Sequence, residues 1–188
     1  MNRILLLLSI SCVLMQGQEI RFIQEDITMQ IEGGMFSVEG YYWFYNASPV
    51  ARDQVMYFPF GNRLEIVADA HANVMNVATG AGIPLTSQMP DGFTFILSVP
   101  GNDTAVYRIA YRQHTSGDSV TYVLRSTQQW GRALESAQYK LRTDVRMLMK
   151  SFSIAPDKEY TVGAERIYYW KRSNFMPDKD MTFHFRKQ

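Results

Sequence analysis

Apolar and polar residues alternate with a period of two along most of the chain. Ile27, Met29 and Ile31 are spaced by Thr28 and Gln30. Phe93, Phe95, Leu97 and Val99 alternate with Thr94 and Ser98, and Tyr107, Ile109 and Tyr111 with Arg108. The same rhythm recurs at Val120, Tyr122 and Leu124, at Ala137, Tyr139 and Leu141, and at Met181, Phe183 and Phe185. Each set predicts a half-buried strand, because successive strand side chains point to opposite faces. Turn-forming clusters separate the runs. Gly33-Gly34 predicts a tight hairpin, and Asn46–Pro49, Pro59–Asn62, Gly80–Pro84, Pro100–Asp103 and Ser116–Asp118 mark further breaks. No stretch holds a 3.6-residue period. The best helical candidate is the short Asp144–Lys150 segment, and its Val145, Met147 and Met149 fit a strand equally well. The pattern predicts an all-β chain, an antiparallel β-sandwich of about nine or ten strands with at most one short helix. A closed barrel is the main rival.

One strand breaks the alternation. Tyr41, Trp43 and Tyr45 interleave with Tyr42 and Phe44, giving five consecutive aromatic residues. Both faces of this strand are apolar. The expectation is a central strand covered on one side by the opposing sheet and on the other by a loop. An exposed face would instead mark a contact site.

Composition narrows the class. Of 188 residues, 46% are hydrophobic, 13% aromatic and 20% charged, with a formal net charge of +1. That suits one globular core and excludes a disordered chain. The balanced charge argues against nucleic acid as a partner, because such binding needs a concentrated basic surface. The first 17 residues read differently from the rest. Arg3 precedes the apolar run Ile4–Leu8, which Ile10, Val13, Leu14 and Met15 extend, and Gly17 is small enough to precede a cleavage site. This predicts a signal peptide over 1–17 and a single β-sandwich domain over 18–188, secreted or periplasmic. Lipid attachment at Cys12 is the weaker alternative. Cleavage after Gly17 leaves no cysteine and equal numbers of basic and acidic residues. No later segment is apolar and long enough for a membrane span.

Four segments together resemble an uncharacterised family of exported bacterial β-rich domains, a domain of unknown function. They are Tyr42-Trp43-Phe44-Tyr45-Asn46; Val55-Met56-Tyr57-Phe58-Pro59-Phe60; Tyr122-Val123-Leu124 followed by Trp130-Gly131; and Trp170 with Asn174-Phe175, Pro177 and Asp180 before Phe183. The resemblance implies an extracytoplasmic β-rich domain and brings no catalytic activity. The same residues have a physical reading. Pro59 ends strand pairing, and Asn46 bonds to nearby backbone in a turn. Gly131 permits a reversal after Trp130. Asn174, Pro177 and Asp180 shape the loop that leads into the last strand.

Candidate chemistry is sparse. His71, His114 and His184 share no ligand spacing. Gly117-Asp118-Ser119 continues into Val120-Thr121, so it reads as a turn and not as a nucleophile loop. Asp157, Glu159, Asp178 and Asp180 occupy two Pro-Asp-Lys-acid turns that lack the spacing of a calcium loop. Asn46 and Asn102 match glycosylation acceptors. No catalytic residue, metal ligand or cofactor is assigned. The sequence predicts a non-catalytic cell-envelope or secreted module whose partner is another envelope or secreted protein. One alternative is a carbohydrate-binding module, with a glycan stacking on Tyr41, Trp43, Tyr45, Trp130, Tyr168, Tyr169 or Trp170. Another is a hydrolase with two facing carboxylates.

Overall fold

The computed structural model describes residues 19–61, 72–115 and 117–186. The expected leader 1–17, Cys12 and His71 lie outside them. The described residues form fourteen strands and one 3-10 helix. The chain is all-β, with more strands than alternation reveals. Six strands have five residues or fewer, most of them too short to display their period.

The principal layer is an eight-stranded sheet. Its centre is β1 (Ile20–Glu32), flanked by β2 (Met35–Asn46) and β10 (Leu134–Asp144). β1 and β2 form the predicted hairpin, with Gly33 and Gly34 at φ of 56° and 77°. Two consecutive positive φ angles match the twist of the paired strands. β1 and β10 run parallel, from Gln24↔Ser136 to Ile31↔Thr143, and every other described pairing in this sheet is antiparallel. Beyond β10 lie β13 (Glu165–Phe175) and the edge strand β12 (Lys158–Val162). Beyond β2 lie β8 (Thr104–His114), β4 (Asn73–Asn76) and β5 (Gly82–Ile83).

The opposing layer is split. One three-stranded sheet comprises β3 (Arg52–Pro59), β7 (Gly92–Val99) and β6 (Leu85–Met89). The other comprises β11 (Leu148–Phe152), β14 (Met181–Arg186) and β9 (Ser119–Tyr122). Both pack on the same face of the large sheet. Phe58 meets Tyr42 edge-on with ring centroids 5.6 Å apart, and Phe95 meets Tyr107 at 6.1 Å. Phe183 lies 6.5 Å from Phe36 and 5.8 Å from Trp170. All the inward sets read from the alternation are buried in this one core. Burying a large aromatic side chain contributes a few kcal/mol, so core packing carries the stability of the domain.

Two expectations need correction. Asp144–Lys150 is not helical. β10 ends at Asp144, whose side chain accepts a hydrogen bond from the Arg146 N–H, and Met147 N–H bonds back to the Asp144 carbonyl. That turn delivers Leu148 into β11. The described helix lies instead at Arg125–Trp130 and stops at Gly131, whose φ of 66° suits a glycine. The aromatic strand β2 also departs from expectation. Tyr42 and Phe44 are core, but no loop among the described residues seals the other face. Tyr41 is 37% exposed, and Trp43 and Tyr45 are half-buried. The second layer lies on one face of the sheet, so the alternate residues of β2 reach the other side.

Candidate functional site

Two places on this framework combine unusual residues. The first is the outer face of the large sheet. Tyr41, Trp43 and Tyr45 project from β2 as a row, with the Tyr41 and Trp43 rings 6.4 Å apart and tilted by 44°. The flanking strands supply charge. Arg21 lies opposite Tyr45, its guanidinium 5.8 Å from the ring centroid, a cation–π distance. Arg108 lies opposite Tyr41 and forms a bidentate pair with Glu39 at 2.9 and 2.7 Å. That pair holds the Glu39 carboxyl below its ordinary range, through the hydrogen bond from Arg108. Beside the row, a groove of about 550 Å³ runs over Thr28, Gln30, Ser37, Arg112 and Arg142. Arg142 is bound by Glu165 at 2.7 Å, whereas Arg112 is exposed and joins no ion pair among the described residues.

The second place is a narrow cleft under the split layer, built around Glu25. A bulge between Phe22 and Gln24 resets the phase of β1, so Phe22, Glu25 and Ile27 all face inward. Glu25 is 2% exposed, the single buried carboxylate among the described residues. Tyr139 donates to Oε1 at 2.5 Å, and Tyr122 donates to Oε2 at 3.3 Å. The Tyr42 and Tyr122 hydroxyls are 3.0 Å apart. Burial raises the Glu25 pKa to about 7 against the two tyrosine hydrogen bonds. Burial likewise raises Tyr42, Tyr122 and Tyr139, with the Glu25 charge adding to the effect. The cleft itself is about 50 Å³, and Phe22, Phe44, Phe58 and Trp130 are among its walls.

The architecture recurs in solved structures of low sequence identity. A candidate nutrient-binding protein from Legionella pneumophila subsp. pneumophila superposes with a TM-score of 0.62 at 14% identity, over 90% of this chain and 67% of that one. A two-domain M1 zinc metallopeptidase bound to L-arginine gives 0.51 at 9% identity, over 89% of this chain and 43% of that one. The M1 zinc metallopeptidase from Deinococcus radiodurans gives 0.51 at 8% identity, over 89% and 42%. This chain shares a fold with them. It spans less than half the length of the two peptidases. No family model and no curated protein matches the sequence, which is consistent with an uncharacterised family.

The sequence-predicted aromatics separate cleanly by face. Tyr168 and Trp170 are core, and Trp170 donates its indole N–H to the Ile154 carbonyl at 3.0 Å. Tyr169 points the other way and donates to Gln138 at 2.7 Å. Trp130 is half-buried against Phe44 and Phe22, at 5.5 and 6.0 Å. The motif residues hold loops. Asn46 is fully buried, donates to the carbonyls of Val50 and Val99, and accepts from Ser48 N–H, so its amide is occupied. Pro59 ends β3 opposite Gly92. Asp180 accepts from the backbone N–H groups of Leu124 and Arg125 and pairs with the Arg125 side chain. The Pro177 carbonyl accepts from Gln128, and Asn174 takes a left-handed φ of 49° at the end of β13.

The acidic turns are likewise engaged, since Asp157 accepts from Lys171 N–H and Arg172. Among the described residues no three acidic, His or Cys side chains could hold a metal, and no helix is long and apolar enough to cross a membrane. Glu25 is absent from the residues singled out by sequence. Its signal was present, since it stands two positions before Ile27 on the inward face.

Proposed function

We propose that this chain is an exported, non-catalytic single-domain binding module, and that the outer face of its large sheet docks another protein. The observation that carries the reading is the row Tyr41–Trp43–Tyr45 on that face, flanked by Arg21 and Arg108. Trp, Tyr and Arg are the residue types that dominate the energetics of protein interfaces. A sheet face normally presents polar side chains to water, so three aromatics in one accessible row are better explained by a partner than by the core. The similar solved structures support a modular use of the fold, because it makes up less than half of the two peptidase chains. The 44° tilt between Tyr41 and Trp43 favours a protein over a sugar, which stacks on coplanar rings. The cleft holds one carboxylate, not the facing pair a glycoside hydrolase uses. Export rests on the apolar leader 1–17.

The test is site-specific photo-crosslinking in the native envelope or secreted fraction. A crosslinker at position 43 is compared with one at Val55, which is exposed on the opposing layer. The expected result is a discrete protein adduct from position 43 alone, lost in Tyr41→Ala/Tyr45→Ala while the melting temperature holds. Equal labelling from both positions, no adduct, or displacement by oligosaccharides would overturn the reading.

A further inference from the structure

Glu25 lacks what a buried carboxylate ordinarily has. Charged groups removed from water are paired with an opposite charge or shift toward neutrality. No lysine, arginine or histidine among the described residues forms an ion pair with Glu25. Its partners are the hydroxyls of Tyr139 and Tyr122. A carboxylate has about four acceptor sites, so roughly half of its capacity is unused. The carboxyl also lines the narrow cleft walled by Phe22, Phe44, Phe58 and Trp130.

The walls of that cleft specify what could occupy the unused capacity. Phe22, Tyr42, Phe44, Phe58, Tyr122 and Trp130 surround it, and ring faces attract cations. Ser126 and Thr127 add hydroxyl oxygens at the same opening. Glu25 is the sole ionisable carboxyl in the lining. A volume of about 50 Å³ admits one or two waters or one ammonium head group carrying a single methyl. A metal ion would face aromatic rings where it needs oxygen ligands. An anion would meet the carboxylate. An ammonium ion satisfies both features, by donating N–H groups to Glu25 and the hydroxyls while its alkyl part lies on the rings.

We propose that this cleft binds a small primary alkylammonium ion, with Glu25 as its counterion and the aromatic walls as its apolar contact. The proposal is independent of the outer-face reading, since the cleft lies on the core side of the sheet.

The test titrates the protein with methylammonium chloride, using sodium chloride at equal ionic strength and methanol as the uncharged control. Intrinsic tryptophan emission, to which Trp130 in the cleft wall contributes beside Trp43 and Trp170, and the melting temperature report occupancy. The expected result is a saturable response to methylammonium and none to methanol. Binding requires ionised Glu25, whose pKa is about 7, so affinity at pH 8 exceeds that at pH 6 by about tenfold, with proton uptake by buffer on binding at pH 6. Glu25→Gln weakens methylammonium binding at least tenfold. Equal responses to amine and alcohol would show cavity filling alone and overturn the proposal. So would affinity independent of pH, unchanged binding in Glu25→Gln, or no saturable response. If Glu25→Gln does not fold, the pH series on the wild-type protein decides alone.

Discussion

Replacing Glu25 by Gln removes one titration from the core while keeping nearly the same shape. In the folded protein burial lifts this carboxyl from about 4.5 to about 7. Below pH 4.5 it is protonated in both the folded and unfolded chains, and folding meets no ionisation penalty. Between pH 4.5 and 7 the unfolded chain ionises first, so folding must take up a proton. Stability therefore falls as pH rises through this window and levels off above it. At about 1.4 kcal/mol per pH unit, the full loss is about 3 kcal/mol. Glutamine cannot ionise, and its amide can still meet the hydroxyls of Tyr122 and Tyr139. The carboxylates held by cations, such as Asp144, whose Arg146 partner lowers it to about 2, act equally in both proteins and cancel in the difference. The measurement is urea unfolding of ligand-free wild type and Glu25→Gln at intervals from pH 4.5 to 8. Glu25→Gln should gain about 3 kcal/mol relative to wild type across that range. Parallel stability profiles would refute the reasoning, because they would mean that Glu25 is as well solvated folded as unfolded.

Two further substitutions test the faces and the loops. Trp170→Ala should cost about 3–5 kcal/mol in denaturant unfolding, since it empties a fully buried site, whereas Tyr169→Ala on the opposite face should cost under about 1 kcal/mol. Comparable losses would contradict the assigned register of β13. Asn46→Ala removes two donations and one acceptance in a buried turn and should cost about 3 kcal/mol, read as a lower midpoint at unchanged slope. A near-neutral result would show that water replaces the amide.

The inward strand sets were legible because a buried face must be apolar and strand side chains alternate. Val120-Tyr122, Ala137-Tyr139 and Phe183-Phe185 could be placed on the core without coordinates. The hairpin at Gly33-Gly34 was legible for a similarly local reason. Short strands such as β5 and β12 were not, because two to five residues show no period and their pairing comes from neighbours distant in sequence. The 3-10 turn at Arg125–Trp130 was hidden because its conformation is set by loop closure and the Gly131 stop. Asp144–Lys150 was ambiguous between helix and strand because an Asx turn followed by an alternating strand imitates a short helix. The outer aromatic row was visible as a doubly apolar strand, but its exposure depends on the second layer covering only one face.

By itself, then, the sequence determined the all-β class, the inward residues and the aromatic character of the core, all consequences of side-chain periodicity and burial. Only the tertiary structure decided the parallel β1–β10 pairing, the split second layer, and the meeting of Glu25 with Tyr122 and Tyr139, which lie 97 and 114 residues away along the chain. Alternation fixes which way a side chain points within its strand. It carries no information about which strands become neighbours, and the chemistry at Glu25 arises from that choice.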